Sequence, residues 1–141
     1  MPAKLIFRAV LFIGAITVVS GLAQLIAPQV ILGIVGGEST PTSRHFFGII
    51  GMFMVLFGGL LLQSLLTAGN NSVAVLWAGL QKFGAAAAVG LAVVKGILGP
   101  LALSVAGFDL LSGVLILIYR QRTGAARKSS FNRSGNASPR G

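Results

Sequence analysis

The sequence contains no cysteine, two acidic residues and one histidine among its 141 residues. Without cysteine there can be no disulfide, thiolate metal site, iron–sulfur cluster or thiol redox chemistry. A single histidine, His45, cannot provide bis-histidine haem ligation. The sequence also lacks a Ser/His/Asp set, a metal-ligand cluster and a phosphate-binding glycine loop. We therefore predict a protein that is not itself an enzyme and that holds no metal and no resident cofactor.

Charged residues of both signs are scarce, at 9% of the chain, whereas hydrophobic residues make up 55%. An average soluble domain contains about 25% charged residues. A soluble protein of this size could not cover its surface with so few charges. The composition therefore excludes an ordinary soluble globule and predicts an integral membrane protein.

Four apolar blocks follow one another along the chain, at about residues 5–27, 46–66, 73–97 and 101–119. Each is close to the ~20 residues that a helix needs to cross a bilayer. The blocks show no period-2 alternation, which argues against a β-barrel. Short connections make consecutive helices antiparallel neighbours. The predicted fold is an all-α, integral membrane four-helix bundle with antiparallel, up-down topology.

The first connection, residues 28–45, is longer than the others. Its apolar part, residues 30–35, is too short to span a bilayer, so it either lies in the interface or folds back against the bundle. Thr40 and Pro41 are typical of a helix N-cap followed by a first-turn proline. We expect a short interfacial segment here, followed by the second membrane helix.

Basic residues are distributed unequally between the two ends of the predicted bundle. Eight lie on the side that holds both termini, and two lie on the opposite side: Lys4, Arg8, Arg120, Arg122, Arg127, Lys128, Arg133 and Arg140 against Arg44 and Lys95. The positive-inside rule then places both termini in the cytoplasm, with the bundle in a plasma membrane or another energy-transducing membrane. This distribution does not fit a nucleic-acid-binding face.

The first block also has features of a signal peptide, because Lys4 and Arg8 precede an apolar run. The run continues through Ala27, which favours a retained membrane helix. Residues 1–120 are therefore assigned to the transmembrane domain. Residues 121–141 are basic and rich in Ser, Gly and Asn, and predict a flexible cytoplasmic tail; the alternative is a tail that binds anionic lipid or a partner.

Asp109 is the most informative polar residue, because it lies close to the middle of the fourth block. An unpaired carboxylate at the bilayer centre costs about 3 kcal/mol on insertion scales. Lys82, in the adjacent antiparallel block, lies at a similar depth and is the natural partner, although it could instead extend to the cytoplasmic interface. We expect an intramembrane polar pair of Asp109 and Lys82 that fixes the helix register.

Small and weakly polar residues recur at helical spacing. The first block contains a polar stripe of Thr17, Ser20 and Gln24 around Gly21. The second block contains the glycines Gly48, Gly51, Gly58 and Gly59. The third block contains small residues that are four apart, namely Gly84, Ala88, Ala92 and Gly96. Such residues favour close helix packing within the bundle. A groove that contacts lipid, quinone or pigment is the alternative interpretation.

Three segments resemble the DoxX-like group of small four-helix bacterial membrane proteins. They are SGLAQLIAPQ at 20–29, SRHFFGIIGMFMVLFGGLLL at 43–62 and FDLLSGVLILIY at 108–119. The resemblance covers about residues 5–120 and implies the same four-helix fold. Members of that group include accessory subunits of membrane oxidoreductases and assembly or trafficking helpers. Some members contain cysteines that this chain lacks, which counts against a thiol role.

Three functions fit these features. The first is a non-catalytic accessory or assembly subunit of a larger membrane complex, whose partners are the lipid bilayer and other membrane subunits or further copies of itself. The second is a small oligomeric transporter or proton-linked channel that uses Asp109 and Lys82. The third is a membrane subunit of a quinone-linked oxidoreductase.

Overall fold

The structure, a computed structural model, describes residues 3–67 and 72–135, with side chains described as far as residue 124. The described ranges form five helices: α1 Ala3–Ile26, α2 Pro28–Ile34, α3 Pro41–Leu66, α4 Ser72–Val94 and α5 Ala102–Gly135. Four of them are long and apolar enough to cross a membrane, namely α1, α3, α4 and residues Ala102–Gly124 of α5. The predicted all-α membrane four-helix bundle is confirmed.

The four long helices run antiparallel in chain order. Arg120 Nε of α5 donates a hydrogen bond to the Ser72 carbonyl at the start of α4, at 2.9 Å. Further along the same two helices, Lys82 contacts Asp109. The residue numbers rise on α4 as they fall on α5, so the two helices run in opposite directions. The closest pairs of helices are α1 with α3 and α4 with α5.

Glycines set the distance between α1 and α3. A Cβ on Gly21 would lie 2.6 Å from the Gly51 carbonyl oxygen, and a Cβ on Gly58 would lie 3.1 Å from the Gly14 carbonyl oxygen. The two glycines of each helix are seven residues apart and meet in opposite order, as antiparallel packing requires. For Gly21, Gly51 and Gly58, the predicted tight packing within the bundle is therefore confirmed, whereas for Gly59, where a Cβ would have no neighbour within 4 Å, it is wrong. Without side chains at these positions, the two backbones approach closely.

The connections 27–40 and 95–101 meet at one end of the bundle, which we call the distal end. The Gly99 amide donates to the Val35 carbonyl at 2.8 Å. Gly36 has a φ of 70°, and a Cβ at this position would clash with the backbone of Gly99. Both the backbone conformation and the close approach therefore require glycine. The short helix α2 folds back against α1 and α3, with Leu32 buried. Of the two predicted positions of this segment, the one that folds back against the bundle is therefore confirmed.

The start of α3 confirms the predicted cap. Thr40 is the N-cap residue, and its side chain accepts a hydrogen bond from the Ser43 amide at 3.0 Å. The Ser43 side chain in turn accepts from the Thr40 amide at 2.8 Å. Pro41 occupies the first helical position, where no amide hydrogen is needed. These contacts fix where α3 begins and hence the position of the residues in its first turns.

A buried apolar core lies toward the opposite end of the bundle, the proximal end. Its members come from all four long helices: Ile6, Val10, Ile13, Leu61, Val75, Ala78 and Ile116. Large apolar side chains also cover the outside of the bundle, among them Phe12, Leu56 and Leu111. Such a surface is stable against lipid chains, which agrees with a membrane-embedded bundle.

The last helix extends past the predicted boundary at residue 120, since α5 continues to Gly135. No proline interrupts this segment before Pro139, and Ala125, Ala126, Arg127 and Lys128 are residues that favour helix. Residues 136–141 of the predicted tail lie outside the described residues.

Candidate functional site: a buried ion pair and a distal cavity

The two charges predicted to pair inside the membrane form a buried ion pair. Lys82 Nζ lies 2.7 Å from Asp109 Oδ1, and the two side chains are 4% and 7% exposed. Lys82 is one residue from the middle of α4. At this depth neither charge can reach water, so each neutralises the other with a charge-assisted hydrogen bond.

Two glycines bring α4 and α5 close enough for this contact. A Cβ on Gly79 would lie 3.2 Å from Ile116 Cγ2, and a Cβ on Gly113 would lie 3.0 Å from the Phe83 ring. Gly79 lies one turn before Lys82 on α4, and Gly113 lies one turn after Asp109 on α5. The glycine contacts therefore lie on the proximal side of the pair and hold the two helices together beside it.

The surroundings of the pair suit two charges that stay in place rather than a group that transfers protons. The Phe108 ring centroid lies 5.6 Å from Lys82 Nζ, a distance at which a ring face attracts a cation. Ser112, one turn from Asp109, is almost completely buried. Among the described side chains, every buried nitrogen or oxygen has a hydrogen-bond partner. This arrangement fits a structural pair better than a proton-transfer group, which needs contact with water.

The predicted polar stripe of α1 is only partly buried. Thr17 and Gln24 are buried, whereas Ser20 is exposed. The Thr17 hydroxyl donates to the Ile13 carbonyl of its own helix at 2.7 Å, so it does not link two helices. Ser20 was wrongly assigned to the stripe. Gly21, the next residue, makes the close contact instead, and Ser20 points about 100° away from it.

The small residues of the third predicted block, which lie in α4 and in the connection that follows it, do not pack within the bundle. Gly84 and Ala88 are exposed, Gly96 is exposed as well, and Ala92 is partly exposed. A Cβ on Gly84 would have no neighbour within 4 Å. The prediction of packing inside the bundle was therefore wrong for this stripe. The reason is geometric: Gly84 follows the inward-facing Lys82 by two residues, which turns it about 200° around the helix axis.

A cavity of about 430 Å³ lies at the distal end, between α1, α2 and α3. Its lining combines apolar and polar side chains: Leu25, Pro28, Gln29, Arg44, His45, Gly48, Ile49 and Met52. Sequence reasoning did not predict this cavity. The available signal was the pair Arg44-His45 one turn before a glycine, which becomes informative only when α2 folds back over it.

Comparisons with family models, curated proteins and solved structures find no match to this chain. Among the described residues, no group of three or more His, Asp or Glu side chains could hold a metal ion.

Proposed function

We propose that this protein is a non-catalytic accessory or assembly subunit of a larger membrane complex, and that α4 is its contact helix. One observation supports the proposal most directly: the outward face of α4 has small residues, including Gly84 and Ala88. Large exposed residues lie before and after them on the same helix, such as Trp77 and Leu91. Small residues allow a second transmembrane helix to approach closely, and helices in lipid associate mainly through such packing.

The buried ion pair supports a non-catalytic role. Lys82 and Asp109 neutralise each other and are hidden from water, so they are better suited to fix the helix register than to transport protons. The resemblance of residues 5–120 to the DoxX-like group agrees with this proposal, since accessory subunits occur in that group.

Formation of the complex should depend on the outward face of α4 and not on exposed glycines in general. Gly84→Leu adds a bulky side chain to that face, and we expect it to abolish co-purification of the partner in mild detergent. Gly107→Leu is the matched control. Gly107 of α5 is also exposed and without neighbours within 4 Å. It lies two residues from Asp109, as Gly84 does from Lys82, and therefore at the same depth.

The size of the native assembly, measured by light scattering during size-exclusion chromatography, checks this expectation. A photo-crosslinking amino acid at Ala88 should join the chain to a different membrane protein. A crosslink between two copies of this chain would replace the accessory-subunit proposal with self-association. A monomer that is unaffected by either leucine substitution would contradict the proposal.

We also propose that both termini are cytoplasmic, because eight of the ten basic residues other than Lys82 lie on the side of the termini. The absence of native cysteine allows a direct test. Ala3 at the proximal end and Ser39 at the distal end are both exposed. A membrane-impermeant maleimide should label Ser39→Cys in intact cells and should label Ala3→Cys only after lysis. The reverse pattern would contradict the orientation.

A further inference from the structure

We propose that the distal cavity binds the phosphate group of a membrane phospholipid, with one acyl chain against the apolar part of its lining. The lining contains the polar residues Gln29, Arg44 and His45 together with the apolar residues Leu25, Ile49 and Met52. A guanidinium group recognises phosphate by charge-assisted hydrogen bonds, and the apolar wall accepts hydrocarbon. No residue of the buried ion pair belongs to this cavity.

The depth of the cavity in the membrane matches this ligand. Helix α3 has 26 residues. At 1.5 Å per residue it is about 39 Å long, whereas the hydrocarbon core is about 30 Å thick. A centred helix therefore extends past the hydrocarbon by about three residues at each end. Arg44 is the fourth residue of α3, so its backbone lies at the edge of the hydrocarbon core and its long side chain reaches the phospholipid headgroups, whereas Ile49 and Met52 lie one to two turns deeper.

Arg44 is available to bind an anion. Its Nε donates to the Thr40 carbonyl at 3.4 Å, which orients the side chain along the first turn of α3. Among the described side chains, no carboxylate forms an ion pair with Arg44. The side chain is partly exposed and lines the cavity. Among the side chains that the structure describes, none therefore neutralises the Arg44 charge in an ion pair, and a lipid phosphate supplies the complementary charge.

Gly48 is explained by the cavity and not by helix packing. A Cβ on Gly48 would lie 4.0 Å from the Leu25 carbonyl oxygen, which is an ordinary contact. On the same helix, a Cβ on Gly51 would lie only 2.7 Å from the Gly21 carbonyl oxygen. Glycine inside a helix is less favourable than alanine. At position 48, the absence of a side chain leaves open the space in which an acyl chain fits.

Lipid binding can be measured on the delipidated full chain in maltoside detergent by native mass spectrometry. Dioleoyl phosphatidylglycerol is the probe, and dioleoylglycerol and inorganic phosphate are the control ligands. Arg44→Gln should weaken binding of the probe about tenfold, the effect of losing a charge-assisted hydrogen bond. Gly48→Leu should also weaken it, because the new side chain fills the cavity while Arg44 remains in place.

The matched control is Lys95→Gln, which removes the other basic residue of the distal end, an exposed lysine outside the cavity. It should bind the probe like the unchanged protein. Equal binding by all three variants would overturn the proposal, as would equal weakening by Arg44→Gln and Lys95→Gln, which indicates nonspecific attraction. Binding of inorganic phosphate alone with the same affinity would replace the lipid with a free anion. If Arg44→Gln melts early without lipid, Gly48→Leu decides the outcome.

Discussion

Replacement of Asp109 by Leu is expected to destabilise the bundle by about 3–5 kcal/mol, the cost of breaking a buried ion pair from one side. The substitution leaves the Lys82 ammonium without a counterion in a position where its side chain is 4% exposed. An unpaired charge in hydrocarbon is costly because neither water nor protein solvates it. The Phe108 ring, 5.6 Å from Nζ, offsets only a small part of that cost.

The double variant separates loss of the pair from loss of a single residue. Asp109→Leu combined with Lys82→Met removes both charges, and we expect it to be more stable than Asp109→Leu alone, because apolar replacements of a buried pair are often neutral. Unfolding in mixed micelles of increasing SDS content measures the difference. Lys95→Met, which removes an exposed lysine of the connection 95–101, is the control and should change little. Additive single effects would contradict an energetic coupling of the two residues.

The ion pair could be predicted because the interiors of the spans contain few charged residues, so each has few possible partners. Lys82 and Asp109 are at similar depth in adjacent antiparallel blocks joined by a short turn, and a buried carboxylate needs a partner. The four membrane-spanning helices and the cap at Thr40 were also predictable, since they depend on local composition and on residue types that favour helix starts.

The faces of the helices were harder to predict, because spacing alone does not say which way a stripe points. Small residues occur at helical spacing in α1, α3 and α4, yet those of α1 and α3 meet each other while Gly84 and Ala88 of α4 face outward. In lipid the outward face is apolar too, so hydrophobicity does not distinguish inside from outside. The distal cavity could not be predicted from local patterns either, because it depends on α2 folding back against the bundle.

The contact between α1 and α3 should be the most sensitive to added volume. A Cβ on Gly51 would lie 2.7 Å from the Gly21 carbonyl oxygen and 2.8 Å from the Leu25 amide nitrogen. Both neighbours are backbone atoms, so they cannot move aside without separating the two helices. We expect Gly51→Ala to destabilise the bundle by about 2–3 kcal/mol, at the upper end of typical overpacking costs, and Gly51→Leu by more.

Gly59→Ala on the same helix separates this packing effect from the effect of glycine on helix stability. A Cβ on Gly59 would have no neighbour within 4 Å. Alanine there adds no clash and removes the entropic cost of glycine, about 1 kcal/mol, so the variant should be as stable as the unchanged protein or slightly more stable. The opposite signs at positions 51 and 59, measured by the same SDS unfolding, would identify close backbone approach as the cause. A similar loss at both positions would mean instead that α3 tolerates no added side chain anywhere, and the glycine contact with α1 would no longer explain the result.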